Sequence, residues 1–250
     1  DGYEREHVVT LTGVPHQVVR DNFTMTRFLP EKKAVTVKER RYRRGGPLLM
    51  SFDPAVLGEV YAFRFLGKGR IAGRVADVVG IQPNDQLRYG YRLYLDEEFG
   101  LPLKTDILDA KGKAISQLMF TDISVTPEAA ASIQASEAKV DALRPPAPKT
   151  YSGDWQFTDL PPGFTMAAHR RWEGNSSQAG EHLLFTDGMA SVSVYVEEGA
   201  AADHKEGASR MGAVMALGVP RDGHLITVVG EVPLSTLRLV LKSMSRKSDE

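Results

Sequence analysis

The most chemically loaded stretch is Lys38-Glu39-Arg40-Arg41-Tyr42-Arg43-Arg44-Gly45-Gly46, which sets five cationic side chains within seven positions. The guanidinium forks of Arg40, Arg41, Arg43 and Arg44 match the oxygens of phosphate or carboxylate groups. The run therefore suits an anionic lipid head group or an acidic protein segment. A solvated loop is the competing reading, and Gly45-Gly46 loosens the chain behind it. Nucleic acid fits poorly, because 31 basic residues are balanced by 32 acidic ones and no nucleic-acid-binding motif accompanies the cluster.

Other chemistry is hard to find. Cysteine is absent, which removes thiol nucleophiles, disulfides, zinc-thiolate sites and iron–sulfur clusters together. The chain has no Gly-x-Ser-x-Gly elbow, no phosphate-binding loop ending in Gly-Lys-Ser/Thr and no His-Glu-x-x-His pair. The histidines His7, His16, His169, His182, His204 and His224 are scattered, with none at helical i,i+4 spacing. Asp96-Glu97-Glu98 reads as solvated carboxylates on a hairpin loop. Gly67, Gly69 and Gly73 depart from a dinucleotide fingerprint by one position, and no helical pattern opens there, so they read as a turn and a close strand approach. No catalytic residue, metal or cofactor is expected. The chain reads as a binding protein.

The elements that would carry such binding are strands. His7 to Thr12 and His16 to Arg20 flank the turn signal Gly13-Val14-Pro15, and the alternation from Phe23 to Phe28 and the run Val35-Thr36-Val37 follow. Tyr61, Phe63 and Phe65 share one face of a strand. Tyr89, Tyr91, Leu93 and Leu95 alternate with Gly90, Arg92, Tyr94 and Asp96. Short polar turns between such runs argue for an antiparallel meander, since parallel strands need long crossovers. One face of that meander is apolar and must be covered by a helix, a second sheet or a ligand. Tyr61, Phe63, Phe65, Tyr89, Tyr91, Leu93 and Leu95 are thus candidates for a lipid pocket, or simply for core.

A helix is predicted from Pro127, capped by Thr126, fading towards Leu143. Pro145, Pro146 and Pro148 then favour an extended linker, which divides the chain into a large domain over 1–143, a linker over 144–150 and a small domain over 151–250. In the small domain, strands are expected over 164–172, 182–185, 190–196 and 225–232. Pro233 opens a helix with Leu234, Leu237, Leu241 and Met244 on one face. A helix on an antiparallel sheet gives a small α+β domain.

Several segments in order resemble the MucB/RseB family of periplasmic negative regulators of envelope-stress sigma factors. In the first domain they are Arg70 to Ala76, Pro83-Asn84-Asp85, Arg88 to Asp96 and Gly100 to Lys104. In the second they are Asp159 to Phe164, Thr186 to Val194 and Val228 to Pro233. The resemblance runs along essentially the whole chain. It implies a large unclosed antiparallel β-barrel like that of LolA-type lipoprotein carriers, plus a small C-terminal α+β domain. It also implies a periplasmic location and, as partners, the periplasmic domain of a MucA/RseA-type anti-sigma factor, shielded from proteolysis, and a lipid or lipopolysaccharide that releases it. Asp187, Gly188 and Ser191 mark the densest match in the second domain and are candidates, with the arginines, for partner or anion contact, although turn chemistry alone accounts for Asp187-Gly188. The alternative is a lipid or lipoprotein carrier with no regulatory partner. Homo-oligomer formation is left open.

Overall fold

A computed structural model describes residues 57–124, 153–172, 179–199 and 205–247 with their side chains, and the backbone elements at 5–9, 17–21, 24–29, 32–38 and 54–56. Two compact units result: Asp1–Gly46 with Ser124–Ala142, and Pro47–Ile123 with Leu143–Glu250. The helix expected from Pro127, the proline linker and the Lys38–Gly46 basic run beyond its first residue lie outside the described residues.

In the first unit, β1 (Arg5–Val9), β2 (Gln17–Asp21), β3 (Thr24–Leu29) and β4 (Lys32–Lys38) form an antiparallel meander in sequence order. Arg5 pairs with Asp21, and Gln17 with Phe28.

The second unit begins with α1 (Pro54–Val60), which runs directly into β5 (Tyr61–Ile71). Then come β6 (Arg74–Pro83), β7 (Gly90–Asp96), β8 (Pro102–Leu108) and β9 (Ala114–Met119), an open five-stranded sheet in sequence order. The expected turn at Gly67-Lys68-Gly69 is not there. β5 continues through it with only a bulge between Phe65 and Gly67. The chain reverses instead at Ala72-Gly73, whose φ values of 48° and 78° suit a two-residue hairpin of the right-handed twist. Gly69 is a close approach, as expected, for a side chain there would meet the Tyr94 ring at 3.2 Å.

The C-terminal layer is a six-stranded sheet of β11 (Thr165–Trp172), β12 (Gly180–Thr186), β13 (Ser191–Glu198), β14 (Gly207–Met211), β15 (Val214–Arg221) and β16 (His224–Gly230), ordered β11-β12-β13-β16-β15-β14. α2 (Leu234–Ser243) packs Leu237, Val240 and Leu241 against Val192, Val194, Leu217, Ile226 and Val228. Met244 leaves the helix, contrary to its expected place on the apolar face. It starts β17 (Met244–Arg246), which pairs with β10 (Trp155–Phe157). The architecture is β-rich α+β, built of open antiparallel sheets with few helices.

Candidate functional site

Register fixes which side chains share a face of the five-stranded sheet. Tyr61, Phe63 and Phe65 on β5 lie opposite Pro83, Ile81 and Val79 on β6, and Ile81 and Val79 lie opposite Tyr91 and Leu93 on β7. Tyr91 and Leu93 in turn face Ile107 and Thr105 on β8. The alternation read from sequence is therefore a real apolar strip, but its two ends differ. Tyr61 is 1% exposed, whereas Phe63 and Phe65 are 41% and 65% exposed. Leu93 and Leu95 are half-buried. Tyr89 and Tyr91 join Leu57, Val60, Tyr61, Ile81 and Ile107 in a buried cluster completed by Met189 and Ala213 of the C-terminal layer.

Next to that covered end lies a charge network that sequence spacing did not reveal. The Arg88 and Asp187 side chains are both 0% exposed, with Nε donating to Oδ2 at 2.6 Å. The Tyr61 hydroxyl donates to the same Oδ2 at 3.0 Å. Arg88 also pairs with Asp85 and donates to the Pro162 carbonyl. Its guanidinium carbon sits 5.7 Å from the centre of the Tyr61 ring and 5.2 Å from that of Phe164. The Thr236 hydroxyl donates to the Leu87 carbonyl nearby. Buried charge is tolerable only when it is paired and hydrogen-bonded, and here each guanidinium nitrogen has an acceptor and each Asp187 oxygen two donors. Burial, reinforced by the neighbouring Tyr91 and Asp187, pushes the Tyr61 hydroxyl far above the ordinary phenol range, so it stays a donor. Burial likewise raises Tyr91.

Of the second-domain residues singled out from sequence, Asp187 is buried and directs its carboxylate to groups of this chain. Its Oδ1 accepts from the Met189 and Ala190 amides at 2.9 and 2.7 Å, which is turn chemistry, while Oδ2 takes the Arg88 pair. Gly188 supplies the turn at φ 98°. Ser191 is exposed at the start of β13 and takes no part in the network. Arg40, Arg41, Arg43 and Arg44 lie outside the described residues.

Asp96, read as solvated, is buried. Arg74 holds it from Nη2 at 3.0 Å, and the Glu98 and Phe99 amides donate to it. Glu97 and Glu98 are exposed, as expected of a loop. Neither a group of residues able to hold a metal ion nor a helix long and apolar enough to cross a membrane occurs among the described residues. A cleft of about 230 Å³ beside Trp155 and Trp172 is lined by Arg171 and Glu181, which face each other at 3.8 Å.

Comparison with known proteins decides the family. The MucB/RseB N-terminal domain matches residues 1–142, and the MucB/RseB C-terminal domain matches residues 149–245. The chain belongs to the MucB/RseB family.

Among its MucB/RseB relatives is the sigma factor AlgU regulatory protein MucB of Pseudomonas aeruginosa, 31% identical over 98% of this chain and 78% of the relative. The sigma-E factor regulatory protein RseB of Haemophilus influenzae is 26% identical over 95% of this chain and 76% of the relative. Among solved structures, the Pseudomonas aeruginosa MucA/MucB complex matches with a TM-score of 0.71 and 27% identity, over 98% of this chain and 84% of that one. MucB in complex with MucA(peri) matches at a TM-score of 0.69 and 28% identity, with the same coverage. These relatives are regulatory proteins.

Proposed function

We propose that this chain is a non-enzymatic periplasmic regulator that binds the periplasmic region of a transmembrane anti-sigma factor and shields it from regulated proteolysis. Lipid or lipopolysaccharide entering the apolar face is the release signal. The observation that carries the reading is similarity over nearly the whole chain to MucB, a protein solved in complex with MucA(peri). The open end of the apolar strip, Phe63, Phe65, Leu93 and Leu95, is the reachable part of the lipid site, with Tyr61, Tyr89 and Tyr91 behind it. Arg40, Arg41, Arg43 and Arg44 take the anionic head group or an acidic stretch of the partner. Lipid acts through its differential affinity for the free and partner-bound states.

The test is protection. The anti-sigma periplasmic segment is digested by the protease that cleaves it, with and without this chain, and lipid is then titrated in. Protection that lipid abolishes supports the regulator, whereas digestion at an unchanged rate refutes it. The exposed phenylalanines also suit a plain lipid carrier. That reading requires lipid transfer to survive deletion from Tyr151 onward, a truncation that strips Arg88 of Asp187.

A further inference from the structure

Among the described residues, the apolar strip is continuous by register and capped at one end. Met189 and Ala213 cover the end formed by Tyr61, Ile81, Tyr91 and Ile107, while Phe63 and Phe65 at the other end stand open. What fastens the cap is mostly polar. Among the described residues, the C-terminal layer gives the shared buried cluster only Met189 and Ala213. Directional contacts surround them: Asp187 to Arg88 and Tyr61, the Pro162 carbonyl to Arg88, and Thr236 to the Leu87 carbonyl.

We propose that the C-terminal layer is a releasable lid over the inner half of the apolar strip, with the Arg88–Asp187 pair as its pin. The physical reason is an asymmetry between polar and apolar fastening. Separating a large apolar interface exposes surface to water with nothing regained. Separating a buried ion pair returns two charges to water, which offsets much of the lost attraction. A join held by a few geometrically strict polar contacts and a small apolar plug is therefore either formed or open, with little between. Opening would add Tyr61, Ile81, Tyr91 and Ile107 to the reachable strip and so lengthen the track offered to an acyl chain.

Each layer keeps its own support when the lid opens. The core under α2 is built entirely from the C-terminal layer, from Trp155 to Met244. The five-stranded sheet keeps its own ladder of strand pairs.

The inference rests on the acyl-chain reading of the strip, but the lid can be read without any lipid. Since the chain has no cysteine, Met189→Cys places a single thiol under the lid, and Val194→Cys places one in the C-terminal core. The rate of thiol labelling reports how often each position opens. Arg88→Met leaves the Asp187 turn contacts intact, and removing a buried ion-pair partner is expected to speed labelling at 189 about tenfold or more, with 194 unchanged. Tyr61→Phe, a milder change, should speed it less. Equal acceleration at 189 and 194 would mean the pair holds the C-terminal fold rather than a lid. No acceleration in either variant would mean it is no pin. Both outcomes overturn the proposal. Binding of cis-parinaric acid, a fluorescent fatty acid, should tighten in Arg88→Met. Faster labelling at 189 with unchanged parinarate affinity would keep the lid and overturn its link to an acyl chain.

Discussion

Arg88→Met should split the unfolding of this protein in two. In the native chain the Arg88 guanidinium is fully buried against Asp187, Asp85 and the Pro162 carbonyl and lies over two aromatic rings. Removing one member of such a pair costs about 3–5 kcal/mol, because the other charge stays buried without its partner. That cost falls on the join between the layers. Once the docked state is less stable than the undocked one the layers part, and any excess penalty disappears into water. Both tryptophans, Trp155 and Trp172, lie in the C-terminal layer, so intrinsic fluorescence follows that layer alone, while far-UV circular dichroism follows all the strands. With a urea m-value of roughly 2–3 kcal/mol/M, the part of the dichroism change that belongs to the five-stranded sheet should move to lower urea by about 1–2 M. The fluorescence midpoint should stay near its original value. The double variant Arg88→Met with Asp187→Asn leaves no uncompensated charge, and should recover about 1.5–3 kcal/mol relative to the sum of the single variants. Coincident transitions together with additive energies would refute the reasoning.

Three further outcomes are expected. Phe63→Ser with Phe65→Ser should change stability by only about 0.5 kcal/mol per site, since both rings already meet solvent, yet weaken fatty-acid binding; unchanged affinity in a fluorescence titration would remove them from the site. Gly180→Ala should destabilise by about 1–3 kcal/mol in urea denaturation, because the new carbon would lie 2.4 Å from the Trp172 ring and 2.5 Å from the Val196 carbonyl; a variant as stable as the parent would contradict that packing. Asp96 is held down to a pKa of about 2, chiefly by Arg74 and then by the Phe99 and Glu98 amides, against an unfolded value of 3.8. Because the folded pKa is the lower, its stabilising contribution is complete above the unfolded value and disappears as pH falls from about 4 towards 2. Carboxyl NMR should find Asp96 titrating near 2 in the parent and higher in Arg74→Met, and an ordinary value in both would deny the pairing.

The readable parts of the fold were those where period alone decides. Alternation at Tyr89–Leu95 placed Tyr91 and Leu93 on one face, and the spacing of Leu237 and Leu241 placed α2 on its core. Alternation states which side chains share a face, but not what covers each end of it, so Tyr61 and Phe65 looked equivalent and are not. The hairpin β14–β15 has little strand signal in its sequence, because Gly207-Ala208-Ser209-Arg210-Met211 has no β-branched or aromatic residue and its partner strand carries Met215, Ala216, Leu217 and Pro220. Gly67 and Gly69 suggested a turn, where the ladder instead absorbed them with a bulge. The Arg88–Asp187 pair joins residues 99 positions apart, and spacing has no bearing on partners so distant. The one local trace was Asp85 three residues before Arg88, whose carboxylate does pair with it.

The most direct measurement is a calorimetric titration of the intact chain with the purified periplasmic segment of its cognate anti-sigma factor, run without lipid and again with lipid at saturation. Saturable binding that weakens markedly in the second run is the expected result. Absence of heat in the first, or identical affinities in both, would contradict it.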